Sequence, residues 1–141
     1  MSIQPTPLNQ QSGVVLLESL IAILVFSLGI LGIIGLQATA VKQVSDARYR
    51  SQASMLVDQL LGTMWVSDRS AAALQTSFSN GGNGYAGWLG NVSAALPGVG
   101  AYPPSVAVDA QGTVTITVRW RAPSEDAAIG AHQYIAVAQI K

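Results

Sequence analysis

Residues 13–36 read Gly13-Val14-Val15-Leu16-Leu17-Glu18-Ser19-Leu20 and then IAILVFSLGILGIIGL, an apolar run whose single charge is Glu18. As a helix rising about 1.5 Å per residue, positions 14–36 cover roughly 35 Å, enough for a hydrocarbon core of about 30 Å. The acid is the informative departure. A carboxylate costs up to roughly 2.5–3.5 kcal/mol near the centre of a membrane helix and less towards its end, so an ionisable side chain in the first turns points to a task. The bland alternative is an acid at a helix N-terminus, favoured there by the macrodipole and by interfacial exposure.

Outward from this run, the chain of 141 residues has room for one domain beside a membrane segment. Its mean hydropathy of +0.39 comes largely from residues 14–36. Seven basic and seven acidic side chains leave no electrostatic footprint for nucleic acid. The lack of cysteine excludes disulfides, thiol catalysis and cysteine metal sites. An ordinary secretory signal is disfavoured. The apolar run exceeds the usual 7–15 residues or so, the leader MSIQPTPLNQQSG has no Lys or Arg, and no small-residue cleavage site follows the run.

The helical pattern continues past the apolar run. Residues 37–66 hold no proline, and Val41, Val44, Ala47, Ala53, Leu56, Val57, Leu60, Leu61, Met64 and Trp65 recur at three- and four-residue intervals. That spacing predicts an amphipathic second half with one buried face. A helix from Val14 to about Val66 would be roughly 80 Å long. Residues 67–105 are dense in Gly, Pro, Asn and Ser and read as a long variable loop, with a short helix near Ala71–Gln75. Val106–Asp109 and Thr113–Trp120 alternate as strands around an Asp109–Gly112 hairpin connection, and His132–Ile140 reads as a third strand. The fold class is therefore α+β: a long N-terminal helix packed on a small antiparallel sheet of about three or four strands, within 106–141. The sheet needs a cover, which Leu60, Leu61, Met64 and Trp65 can supply, with Trp88 and Trp120 as core plugs.

Several local patterns fail as sites. Gly82-Asn-Gly84-Tyr-Ala-Gly87 spells G-x-G-x-x-G and Asp109 follows, but no strand precedes it and the remaining chain cannot hold a parallel βαβ unit. His132 is the single histidine and lacks metal-ligand spacing around it, so it reads as surface or strand-end packing and no metal is assigned. Glu125 and Asp126, adjacent in a turn-rich segment, read as a solvated loop. No nucleophile elbow accompanies His132. The chain reads as no enzyme, with no cofactor.

Gly13, the hydrophobic residue after it and the glutamate five places on carry a resemblance. Set between a polar leader and an apolar helix, they resemble the prepilin signal of type IV pilin-like proteins. The later L-L-E-S-L-I-A and L-G-I-L-G-I-I-G-L-Q stretches look like PilV-type minor pilins. Val14 and Val15 stand where such proteins usually carry Phe and then Thr or Ser, and their leaders usually hold basic residues. Lys42, Arg48 and Arg50 follow the span, which by the positive-inside rule alone would face them inward; the motif implies the opposite orientation.

The resemblance implies a leader, residues 1–13, removed by a prepilin peptidase between Gly13 and Val14, with N-methylation of Val14. It implies a transmembrane and filament-core helix over 14–36 and a periplasmic globular part over 37–141. Glu18 would neutralise the terminal ammonium of a neighbouring subunit and so set axial register. Gly29, Gly32 and Gly35 read either as close-packing small residues or as a weak point in the helix, since each costs about 1 kcal/mol relative to alanine. The implied partners are other minor pilins, the major pilin, a tip adhesin and the inner membrane, and the implied role is pilus assembly, adhesion and twitching motility. The alternatives are a minor pseudopilin of type II secretion and, from a different class, a membrane-tethered binding module or enzyme.

Overall fold

The computed structural model describes residues 12–126 and 128–141. The leader assigned to residues 1–13 therefore falls almost wholly outside the described residues. Six elements follow in order: helix α1 (Ser12–Trp65), helix α2 (Ala71–Phe78), helix α3 (Asn83–Ala95), and strands β1 (Ser105–Val108), β2 (Thr113–Trp120) and β3 (His132–Gln139). The chain divides into two compact units between Lys42 and Gln43, both of which lie in α1.

In the first unit, every large apolar side chain from Val14 to Leu36 is exposed, by 42% at Ile30 and up to 73% at Leu36. Nothing else described in this unit covers that surface, and α1 is the one helix among the described residues long and apolar enough to cross a membrane. Three of its hydroxyls turn back onto the helix. Ser19 Oγ donates to the Val15 carbonyl (2.8 Å), Ser27 Oγ to that of Ile23 (2.7 Å) and Thr39 Oγ1 to that of Gly35 (3.1 Å). Each bond reaches back one turn, which leaves the segment with little polar surface to desolvate in an apolar medium.

The second unit is an α+β domain. Its sheet is a three-stranded antiparallel meander in the order β1-β2-β3, with Val106 opposite Ile116 and Trp120 opposite His132. Val114, Ile116, Val118 and Trp120 alternate onto one face and are buried. They meet Ala53, Val57, Leu60 and Met64 of α1 in a single core cluster. These helical positions are spaced four, three and four apart, one stripe of an α-helix. The stripe is shorter than its sequence pattern: Val41 and Val44 are exposed, and Trp65, expected among the sheet's cover, is 46% exposed. Leu56 and Leu61 pack at the margin of the core.

The hairpin between β1 and β2 falls where it was predicted. Asp109 N–H donates to the Thr113 carbonyl (2.9 Å) and Gly112 N–H to the Asp109 carbonyl (3.2 Å). Gly112 has φ +78°, and a Cβ there would stand 2.5 Å from the Ile140 carbonyl oxygen, so both conformation and space demand glycine.

Residues 67–105 correct the loop assignment. Instead of a variable loop with one short helix, they form α2 and α3. Ser70 caps α2, its hydroxyl accepting from Ala73 N–H (3.4 Å), and Asp68 in turn accepts from Ser70 N–H (2.9 Å). That bond from the Ser70 backbone, with a smaller one from its hydroxyl, holds the Asp68 carboxyl below its ordinary pKa. Helix α3 contains Gly84, Gly87 and Gly90, which intrinsic propensity counts against it. Packing decides instead. Tyr85, Trp88 and Val92 share one face and are buried. Trp88 Nε1 donates to the Leu56 carbonyl of α1 (2.8 Å), and Tyr85 Oη donates to the Pro104 carbonyl (2.7 Å). Leu74 and Phe78 of α2 complete this layer.

Candidate functional site

Gly13, Val14 and Glu18 lie in the first two turns of α1. Val14 and Glu18 are four residues apart, so their side chains share one face of the helix. Gly13 is open, with nothing within 4 Å of the position a Cβ would take, and Val14 is 67% exposed. Glu18 is exposed and makes no hydrogen bond or ion pair among the described residues. The bond after Gly13 and the carboxylate are thus both accessible from outside the chain. If the chain began at Val14, its new α-ammonium and the free N–H groups of the first turn would form a positive end one turn from Glu18.

Gly29, Gly32 and Gly35 are also open, with no heavy atom near their Cβ positions, and the chain is helical through all three. Each leaves a shallow place on the helix surface where a neighbouring helix could approach closely.

The glycine pattern at residues 82–87 serves packing. Gly82 caps α3, and a Cβ on it would lie 2.3 Å from the Ser77 carbonyl oxygen; one on Gly84 would lie 2.6 Å from the Phe78 ring. A helix, α2, precedes it where a dinucleotide site has a strand. Asp109 is committed to its turn, accepting from Thr113 N–H (2.7 Å) and Gln111 N–H (2.9 Å). The Thr113 bond is the main reason its carboxyl sits below the ordinary carboxylate pKa.

A second constellation was not legible in the sequence. Glu125, expected in a solvated loop, has a side chain only 12% exposed. Its Oε1 lies 2.7 Å from His132 Nε2, and its Oε2 accepts from Ala122 N–H (3.1 Å). His132 begins β3 and stacks on Trp120, with ring centroids 5.9 Å apart and an interplanar angle of 18°, which agrees with strand-end packing. The same Nε2 faces Asp46 Oδ1 of α1 at 3.7 Å. Asp46 lies seven residues before Ala53, on the stripe that goes on to bury Val57, Leu60 and Met64. The stripe changes from apolar to acidic where the sheet ends in an imidazole. A carboxylate at a core-facing helical position was the available signal for Asp46; nothing local tied it to residues about eighty positions away.

No protein-family model, curated protein or solved structure matches this chain.

Proposed function

We propose that the protein is a minor pilin of a type IV pilus, closest to the PilV type. On this reading a prepilin peptidase cuts it between Gly13 and Val14 and N-methylates Val14. It primes pilus assembly with other minor pilins and sits in or at the tip of the pilus, with the major pilin and a tip adhesin as partners. The observation that carries the proposal is the register of Gly13, Val14 and Glu18 at the start of a helix whose large apolar side chains from Val14 to Leu36 are exposed. A surface of that kind needs an apolar medium before and after assembly. The inner membrane supplies the first, with the leader cytoplasmic and residues 37–141 periplasmic, and the filament core supplies the second.

In that core, the ammonium created at Val14 would cost several kcal/mol if buried alone. Glu18 of an adjacent subunit provides the counter-charge, and an axial slip by either subunit separates the pair. Charge pairing in a low-dielectric core thereby selects register. The small α+β unit fits a part displayed at the filament surface, and the open glycines fit close helix packing within the core.

Deleting the protein is expected to reduce surface pili and twitching motility several-fold. Piliation is compared in cells with retraction intact and with retraction blocked, so that poor assembly is distinguished from excess retraction. Unchanged pili together with a loss of secreted exoproteins would replace this reading with a minor pseudopilin of type II secretion.

A further inference from the structure

The cluster at the end of the sheet draws on three separate parts of the second unit: Asp46 on α1, Glu125 in the β2–β3 connection and His132 at the first position of β3. One ligand atom from each lies within 4.8 Å of the other two, with Asp46 Oδ1 and Glu125 Oε1 at 3.7 Å and 2.7 Å from His132 Nε2. A neutral imidazole offers one proton at Nε2, which the Glu125 contact at 2.7 Å uses. Asp46, at 3.7 Å, is too far for a hydrogen bond to the same nitrogen. Two carboxylates therefore converge on a ring atom that can serve only one of them well.

The geometry points to a divalent transition-metal site, of the zinc class, formed by Asp46, Glu125 and His132. Tetrahedral zinc with bonds of about 2.0–2.2 Å separates its ligand atoms by roughly 3.3–3.5 Å. The Asp46–His132 distance is already close to this, Glu125 has to withdraw from Nε2 by about 0.6–0.8 Å, and the two carboxylates, whose ligand atoms lie within 4.8 Å, have to settle at the same separation. On binding, the neutral ring changes tautomer: Nε2 releases its proton to solvent as Nδ1 takes one up, so the lone pair at Nε2 faces the metal and the ring stays neutral. Two carboxylates and one imidazole make a neutralised site, with a fourth position for water or a donor from another molecule. The imidazole nitrogen favours zinc over calcium or magnesium, which take oxygen donors. The supporting contacts are those of a held ligand set: the Ala122 N–H fixes the second Glu125 oxygen, and Trp120 fixes the plane of the ring. The metal would link α1 to the sheet at the end where the apolar stripe has run out.

The test uses the full chain in detergent micelles, without a polyhistidine tag, titrated with zinc chloride alone by calorimetry. The result expected is one zinc per chain with Kd of about 10 µM or tighter. At about a hundred times Kd, Tm should rise by about 10 °C or more. His132→Gln should weaken binding about a hundredfold and lose most of the zinc-dependent Tm rise, and Asp46→Asn should weaken it about tenfold and lose about half of the rise. Asp46→Asn, at a part-exposed helical position, keeps the test independent of any packing lost with the ring. Calcium and magnesium should bind at least about a hundredfold more weakly than zinc. No stoichiometric zinc binding below about 100 µM, zinc binding unchanged in both variants, or calcium binding as tight as zinc would overturn the assignment.

Discussion

Glu18→Val is expected to leave cleavage and membrane insertion intact while lowering the protein's level in sheared filaments by about tenfold or more. The direction follows from where the charge sits. On the proposed reading, residues 14–18 would lie near the membrane interface before assembly, where water and headgroups would solvate the Val14 ammonium whether or not Glu18 is present. Valine there removes an acid from an apolar helix and eases insertion. In a filament core, that solvent is gone and removing the partner leaves an uncompensated cation, a loss of about 3–5 kcal/mol when a buried pair is broken in this way. Glu18→Asp retains the charge on a side chain one methylene shorter and is expected to fall between the two. The quantity to measure is each variant's amount in sheared filaments relative to the membrane fraction. Entry of Glu18→Val at the wild-type level would mean that Glu18 is an interfacial helix acid, placed by the macrodipole and without a role in register.

Trp120→Ala is expected to destabilise the second unit by about 3–5 kcal/mol, against the 5–15 kcal/mol or so that holds a typical domain folded. Trp120 is 1% exposed at the end of β2, within the core cluster that includes Met64 of α1, and its ring supports His132. Truncation opens a cavity there and frees the strand end that places the imidazole. Trp120→Phe should cost far less, about 1 kcal/mol. It keeps most of the apolar volume and removes Trp120 Nε1, a buried donor with no acceptor among the described residues. Thermal melts of the full chain in detergent, followed by near-ultraviolet circular dichroism that Trp88 still reports, should show Trp120→Ala melting about 12 °C or more below wild type. Trp120→Phe should melt within a few degrees of wild type. Equal melting of all three would remove Trp120 from the core.

The elements with strong periodicity were legible. The apolar run from Val14 and the alternation at Thr113–Trp120 and His132–Gln139 each state one local rule, and the structure follows it. Asp109–Gly112 was legible for the same reason, since a positive φ leaves a glycine signature. Helix α3 was hidden because its glycines argue for a loop while its anchors, Tyr85, Trp88 and Val92, gain their energy only from partners elsewhere in the chain. The upper part of the amphipathic stripe misled in the opposite sense. Val41 and Val44 keep helical spacing but are exposed, so periodicity ran on where burial stopped. Gly13, Val14 and Glu18 could be read as a motif because they fall within six consecutive positions of one helix. Asp46, Glu125 and His132 could not, because their proximity exists only after α1 and β3 have packed.

The central claim is that Gly13–Val14 is a processing bond, and the intact mass of the protein recovered from membranes tests it most directly. The account predicts the mass of residues 14–141 carrying one methyl group, with methylated Val14 found on N-terminal sequencing. A protein that retains residues 1–13, or one cut after the apolar run at Leu36, would contradict it.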